Sequence, residues 1–126
     1  MSSTSKPNGI DLPWFKFFAW DWLTSETIDR FTLEQEAVYM RLLMRQWVAK
    51  TGVLPTDAAT LQKYARVDSG AHWRRVGKPV IDRCFERRNG HYVNAKLRAL
   101  WLDAKDKHES NQRAAKLAAD ARWGHK

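Results

Sequence analysis

The sequence predicts an α+β fold, mostly α, with one small β-hairpin and a long C-terminal helix. Three observations carry that prediction. Within residues 69–84, Trp73, Val76, Val80, Ile81 and Cys84 recur at helical spacing, while Arg75, Lys78 and Asp82 fall on the opposite face. Two short runs then flank Asn89-Gly90, a strong local signal for a two-residue hairpin turn, because both turn positions need positive φ. From Ala95 to about Ala121 the chain is again helix-prone. A helix with a basic outer face, followed by a basic hairpin, has the outline of a recognition helix and its wing. The expected architecture is therefore a winged helix-turn-helix.

The elements follow in chain order. Residues 1–12 are polar and Ser-rich, and read as a flexible N-terminal arm. Trp14 to Trp22 is the most aromatic segment; a short strand with a turn near Asp21, mostly buried, is expected there. The alternative for this segment is a stacking platform for unpaired bases, since every base has a π-face. Thr32-Leu33-Glu34-Gln35 has the form of a capping box, so a helix should start at Leu33 and run to about Lys50. Its expected inner face is Leu33, Ala37, Met40, Met44, Trp47 and Val48, with Val38, Tyr39, Leu42 and Leu43 making most of the rest apolar. That pattern belongs to a buried central helix.

Gly52 can end that helix, and Val53-Leu54 before Pro55 forms a very short extended piece placed to pair with the wing. Thr56 or Asp57 can cap the next helix, Ala58 to about Arg66, with Leu61, Tyr64 and Ala65 inward. Asp68-Ser69-Gly70 makes the turn into the expected reader helix. Pro79 lies inside that helix and lacks an N–H, and Gly77 weakens it further, so the helix should kink there or split in two. Leu97, Leu100, Trp101 and Ala104 give the last helix an apolar face. Beyond Ala104 the chain turns polar and then Ala-rich. The expected organisation is an arm (1–12), a winged helix-turn-helix domain (13–104) and a helical, polar and Ala-rich C-terminal extension (105–126), which could join two copies as a homodimer.

With 126 residues, 44% of them hydrophobic, the chain can bury a modest single core. No run approaches the roughly 20 apolar residues a membrane helix needs, and residues 1–9 lack the apolar stretch of a secretory signal. One cysteine allows no internal disulfide and fits a reducing, cytoplasmic compartment. The net charge of +8 is uneven: residues 1–60 hold 6 Lys/Arg against 7 Asp/Glu, and residues 61–126 hold 16 against 7. Such asymmetry points to a polyanionic partner, nucleic acid first.

Catalytic signals are missing from the sequence. The four histidines are scattered and Cys84 stands alone on an apolar stripe, so neither a metal site nor a cysteine nucleophile is expected. There is no phosphate-binding glycine loop, and no cofactor is implied. A non-enzyme is expected. The candidate nucleic-acid-binding residues are Arg75 and Lys78 on the outer face of the helix, His72, Arg74 and Arg83 on its flanks, Arg87 and Arg88 on the first wing strand, and Lys63 and Arg66 upstream. Cations at this density neutralise phosphates and release counterions, and arginine reads guanine through paired hydrogen bonds.

Six motifs add a resemblance. They are Pro13-Trp14-Phe15-Lys16-Phe17-Phe18 with Asp21; Leu33-Glu34-x-x-Ala37-x-Tyr39-x-Arg41-Leu42-Leu43; Gly52-Val53-Leu54-Pro55; Trp73-Arg74-Arg75 with Pro79; Gly90-His91-Tyr92-Val93-Asn94; and Ala121-Arg122-Trp123. Together they cover about residues 13–123, and the chain resembles the YdaU-like phage and prophage proteins, a family of unknown function. The resemblance implies a winged-helix fold, related in outline to the N-terminal domain of phage replication initiators, and a place near phage replication genes. It also implies that Pro79 is tolerated by the fold. The resulting expectation is a phage or prophage protein in a bacterial cytoplasm that binds duplex DNA in replication initiation or transcriptional control. The alternative is an adaptor or inhibitor that docks on a host protein or ribonucleoprotein.

Overall fold

The structure is a computed structural model that describes residue 12 and residues 14–123; the expected arm lies outside the described residues except for Leu12. Short helices α1 (Ala19–Leu23) and α2 (Glu26–Asp29) precede a central helix α3 (Leu33–Val48), then α4 (Ala58–Ala65). A continuous helical stretch follows, made of α5 (Gly70–His72), a π-helical turn (Trp73–Gly77) and α6 (Lys78–Cys84). Strands β1 (Glu86–Arg88) and β2 (His91–Val93) form an antiparallel hairpin, and α7 (Ala95–Trp123) closes the chain. The molecule is thus mostly helical, with one two-stranded sheet and a long C-terminal helix.

The capping chemistry sets the helix starts. Thr32 accepts from Gln35 N–H while the Gln35 side chain accepts from Thr32 N–H, the complete capping box. Asp57 and Ser69 accept the N–H groups of Thr60 and His72 at the next two starts. Asn89 and Gly90 have φ of 51° and 78°, the conformation a two-residue turn between right-twisted strands requires. Beyond β2, Leu54 exchanges hydrogen bonds of 2.8 and 2.9 Å with Tyr92, so the extended piece before α4 pairs with the hairpin.

The core is built by α3, the helical stretch 70–84 and the start of α7. Leu42, Leu54 and Val80 are fully buried, and Val38, Trp47, Leu61, Trp73, Ile81, Val93, Leu97 and Trp101 pack around them. The inner face of α3 differs from the expected one. Val38, Leu42, Leu43, Gln46 and Trp47 point inward, whereas Leu33 is 85% exposed and Met44 and Val48 are partly open. A helix apolar nearly all round does not announce which side is inward, and the decisive marker was polar: Gln46 is fully buried.

Residues 14–22 depart from the expected buried strand. Trp14 (70%) and Trp20 (75%) are exposed, Phe17 and Phe18 are about half exposed, and Ala19–Leu23 is helical. Two rings of the segment do anchor it. Phe15 lies 5.3 Å from Trp47, and Trp22 stacks at 5.0 Å on Tyr39 while its indole donates to Glu36. The core is already filled by other elements, which leaves the intervening rings outside.

Pro79 is accommodated by a change of helical register. Lys78 N–H reaches the carbonyl of Trp73, five residues back, and Pro79 then sits in the first turn of α6, where a missing N–H costs least. Gly77 is needed at this point: a Cβ there would lie 2.1 Å from the Trp73 ring. The α7 helix runs unbroken across residue 104, and every residue from Glu109 to Trp123 is exposed.

Candidate nucleic-acid interface

The helical stretch 70–84 buries Trp73, Val76, Val80 and Ile81, and this fixes its outer face. Arg74, Arg75, Lys78 and Asp82 are exposed there. Lys78 is bonded to both oxygens of Asp82 one turn on, at 3.0 and 3.2 Å. Among the described residues, Arg74 and Arg75 have no carboxylate within ion-pair distance, and neither do Lys63, Arg66, Arg83 and Arg87. The helix therefore presents two unneutralised guanidinium groups beside one neutralised lysine.

The remaining sequence-predicted residues take different positions. Lys63 and Arg66 lie at the C-terminal end of α4, exposed, next to the turn into the helical stretch. Arg66 itself has φ of 62°, a left-handed conformation unusual for a side chain with a Cβ. On the hairpin, Arg87 lies opposite Tyr92 and Arg88 opposite His91, so the two arginines point to opposite faces. Arg88 is chelated by Glu86 at 2.7–3.0 Å. Arg83 lines a cleft with Glu26, Thr27 and Arg30 instead of joining Arg74 and Arg75.

His72 is tied inward. Its Nε2 meets Glu34 at the start of α3 and its Nδ1 lies 3.0 Å from Asp68. The Glu34 hydrogen bond, reinforced by Asp68, raises the imidazole above its ordinary range against a weaker opposing effect of desolvation. His72 thus clamps the helical stretch to α3.

Two side chains escaped the sequence reading. His91 and Arg98 line a shallow pocket of about 370 Å³ beside the hairpin, together with Thr51, Arg88 and Asn89. Arg98 also donates to the Thr51 carbonyl and lies over the Trp101 ring at 5.0 Å. His91 was visible as part of the run after Asn89-Gly90, but Arg98 sits in α7 and only the tertiary fold brings it there.

Burial pushes the Cys84 thiol up to about 11, and it also raises Tyr39. Cys84, half-buried against the core, therefore stays a protonated thiol at neutral pH. Among the described residues no group of three or more His, Cys, Asp or Glu side chains could hold a metal ion, and no helix is long and apolar enough to cross a membrane.

The family described as a protein of unknown function (DUF1376) matches residues 13–100. No curated protein and no solved structure matches the chain.

Proposed function

We propose that this chain, which belongs to the DUF1376 family, is a winged-helix protein of phage or prophage origin that binds duplex DNA without catalysis. The winged-helix reading is supported by the order of α3, the Leu54 bridge to the hairpin, α4, the helical stretch 70–84 and the hairpin. In this reading the helical stretch lies along a major groove and the hairpin touches the backbone. The observation that carries it is the pair Arg74 and Arg75, exposed on the outer face with no carboxylate among the described residues to neutralise them. Lys63, Arg66 and Arg87 supply further phosphate contacts. Lys78 and Arg88 exchange Asp82 and Glu86 for phosphate at little cost, because exposed ion pairs are weak. Replication initiation or transcriptional control is the role that fits the resemblance to phage replication proteins.

The test is binding of a duplex of random sequence as a function of salt. Affinity should fall by orders of magnitude between about 50 and 200 mM, because each neutralised phosphate adds about −0.9 to the slope of log K against log salt. Arg74→Glu with Arg75→Glu should abolish binding at unchanged thermal stability. A flat salt response, or intact affinity in that variant, overturns the reading. Capture of a host protein that survives nuclease would place the chain among adaptors instead.

A further inference from the structure

We propose a second binding surface, for unpaired bases of single-stranded DNA, built on residues 14–22 and the cleft beside them. This segment has the composition of a core but not its burial: Trp14, Phe17, Phe18 and Trp20 are 47–75% exposed. The segment that carries them is anchored. Phe15 and Trp22 pin the segment from both sides, on Trp47 and Tyr39, and Phe17 rests on Trp22 at 5.4 Å. Exposed aromatic rings on an anchored backbone offer flat faces whose ordering cost is already met, which is what stacking of successive bases needs.

Charge selects the occupant. Phe17 and Phe18 line a cleft of about 340 Å³ whose wall also carries Lys16, Arg83 and Lys96. Its one carboxylate among the described residues, Asp21, lies 3.9 Å from Lys96. Rings beside Lys16 and Arg83, which have no ion-pair partner among the described residues, match a strand that alternates bases and phosphates. An apolar protein segment would leave Lys16 and Arg83 without partners. Arg83, separated from Arg74 and Arg75 by the fold, finds its role here. The choice of DNA over RNA rests on the duplex reading above: a protein that holds a duplex on one face and the strand released from it on another would favour the opened form.

The test compares the full chain with Phe18→Ala/Trp20→Ala and with Arg74→Glu/Arg75→Glu. Labelled oligothymidine, oligouridine and a hairpin duplex are followed by fluorescence anisotropy, with circular dichroism melts as the folding control. Both aromatic side chains are largely outside the core, so the melt should be unchanged. Oligothymidine affinity should fall at least fivefold and up to about a hundredfold in the aromatic variant, the range for losing a stacked base, while the duplex affinity holds. The arginine variant should show the reverse pattern. Unchanged oligothymidine binding in the aromatic variant overturns the proposal, as does a parallel loss on both ligands. Tighter binding of oligouridine than oligothymidine overturns the assignment to DNA. Duplex binding that is absent throughout, with oligothymidine binding lost only in the aromatic variant, would refute the duplex reading and leave this surface standing.

Discussion

Gln46 and Asn94 exchange two hydrogen bonds across the core: Asn94 N–H donates to Gln46 Oε1 at 2.9 Å, and Gln46 Nε2 donates to the Asn94 carbonyl at 3.2 Å. The glutamine amide acts as a strand partner for the residue that leaves the hairpin. The Asn94 side chain is equally occupied. It donates to the Cys84 carbonyl and the Tyr39 hydroxyl and accepts from Leu97 N–H, capping α7. This pair, with Gln46 fully buried and Asn94 half-buried, thus fixes α3, the end of α6, the hairpin and α7 relative to one another.

Gln46→Leu keeps the volume and leaves a buried N–H without its side-chain partner. The expected cost is about 2–4 kcal/mol, since an unsatisfied buried group costs about 1–3 kcal/mol and two bonds are lost. Urea denaturation of the variant measures it; a loss under 0.5 kcal/mol, the scale of an ordinary surface change, would mean that water replaces the amide.

Gly77→Ala drives a methyl group into the Trp73 ring at 2.1 Å, inside the π-helical turn. A cost of about 1–3 kcal/mol is expected, the usual range for overpacking. Trp73→Leu in the same background should recover part of it, and failure to do so would assign the cost to backbone geometry.

Arg66→Gly should act in two directions. The left-handed φ of 62° is unfavourable for a residue with a Cβ, so glycine should stabilise the fold by about 0.5–1 kcal/mol. The same substitution removes a cation and should lower the salt slope of duplex binding by about 1. A thermal melt and a binding series on one variant check both.

The His72 clamp predicts a sign for pH. Its raised folded-state value means that its stabilisation is fully present below the unfolded value of about 6.5 and is lost as pH rises through the folded value. The stability difference between the native chain and His72→Gln should therefore be largest near about pH 6 and should shrink toward about pH 9. A difference that grows with pH would show that the imidazole is bound neutral.

Much of the fold was legible because local chemistry and tertiary outcome agree. The capping box at Thr32, the positive-φ pair Asn89-Gly90 and the Leu54 bridge to the hairpin all stand where residue type placed them. The register change around Gly77 and Pro79 was legible as a disturbance, but its π-helical form depends on the Trp73 ring lying over Gly77. The inner side of α3 and the exposure of residues 14–22 were not legible. Both are decided by competition for one small core, and apolarity says that a side chain can be buried without saying which of several candidates wins. The basic residues were readable as a set. Their division into free, paired and inward-tied members came from carboxylates such as Glu34, 38 positions from His72.

The hairpin has only three residues on each side of its turn, too few to persist in water on its own. Its pairing with Leu54, 38 positions earlier in the chain, is what retains it. Closing so long a loop is slow compared with forming α3 or α7, so the hairpin should lock late in folding, after the helices have met. In the native state the amides of Leu54 and Tyr92 should exchange their hydrogens together, as one opening unit, since each donates to the other's carbonyl.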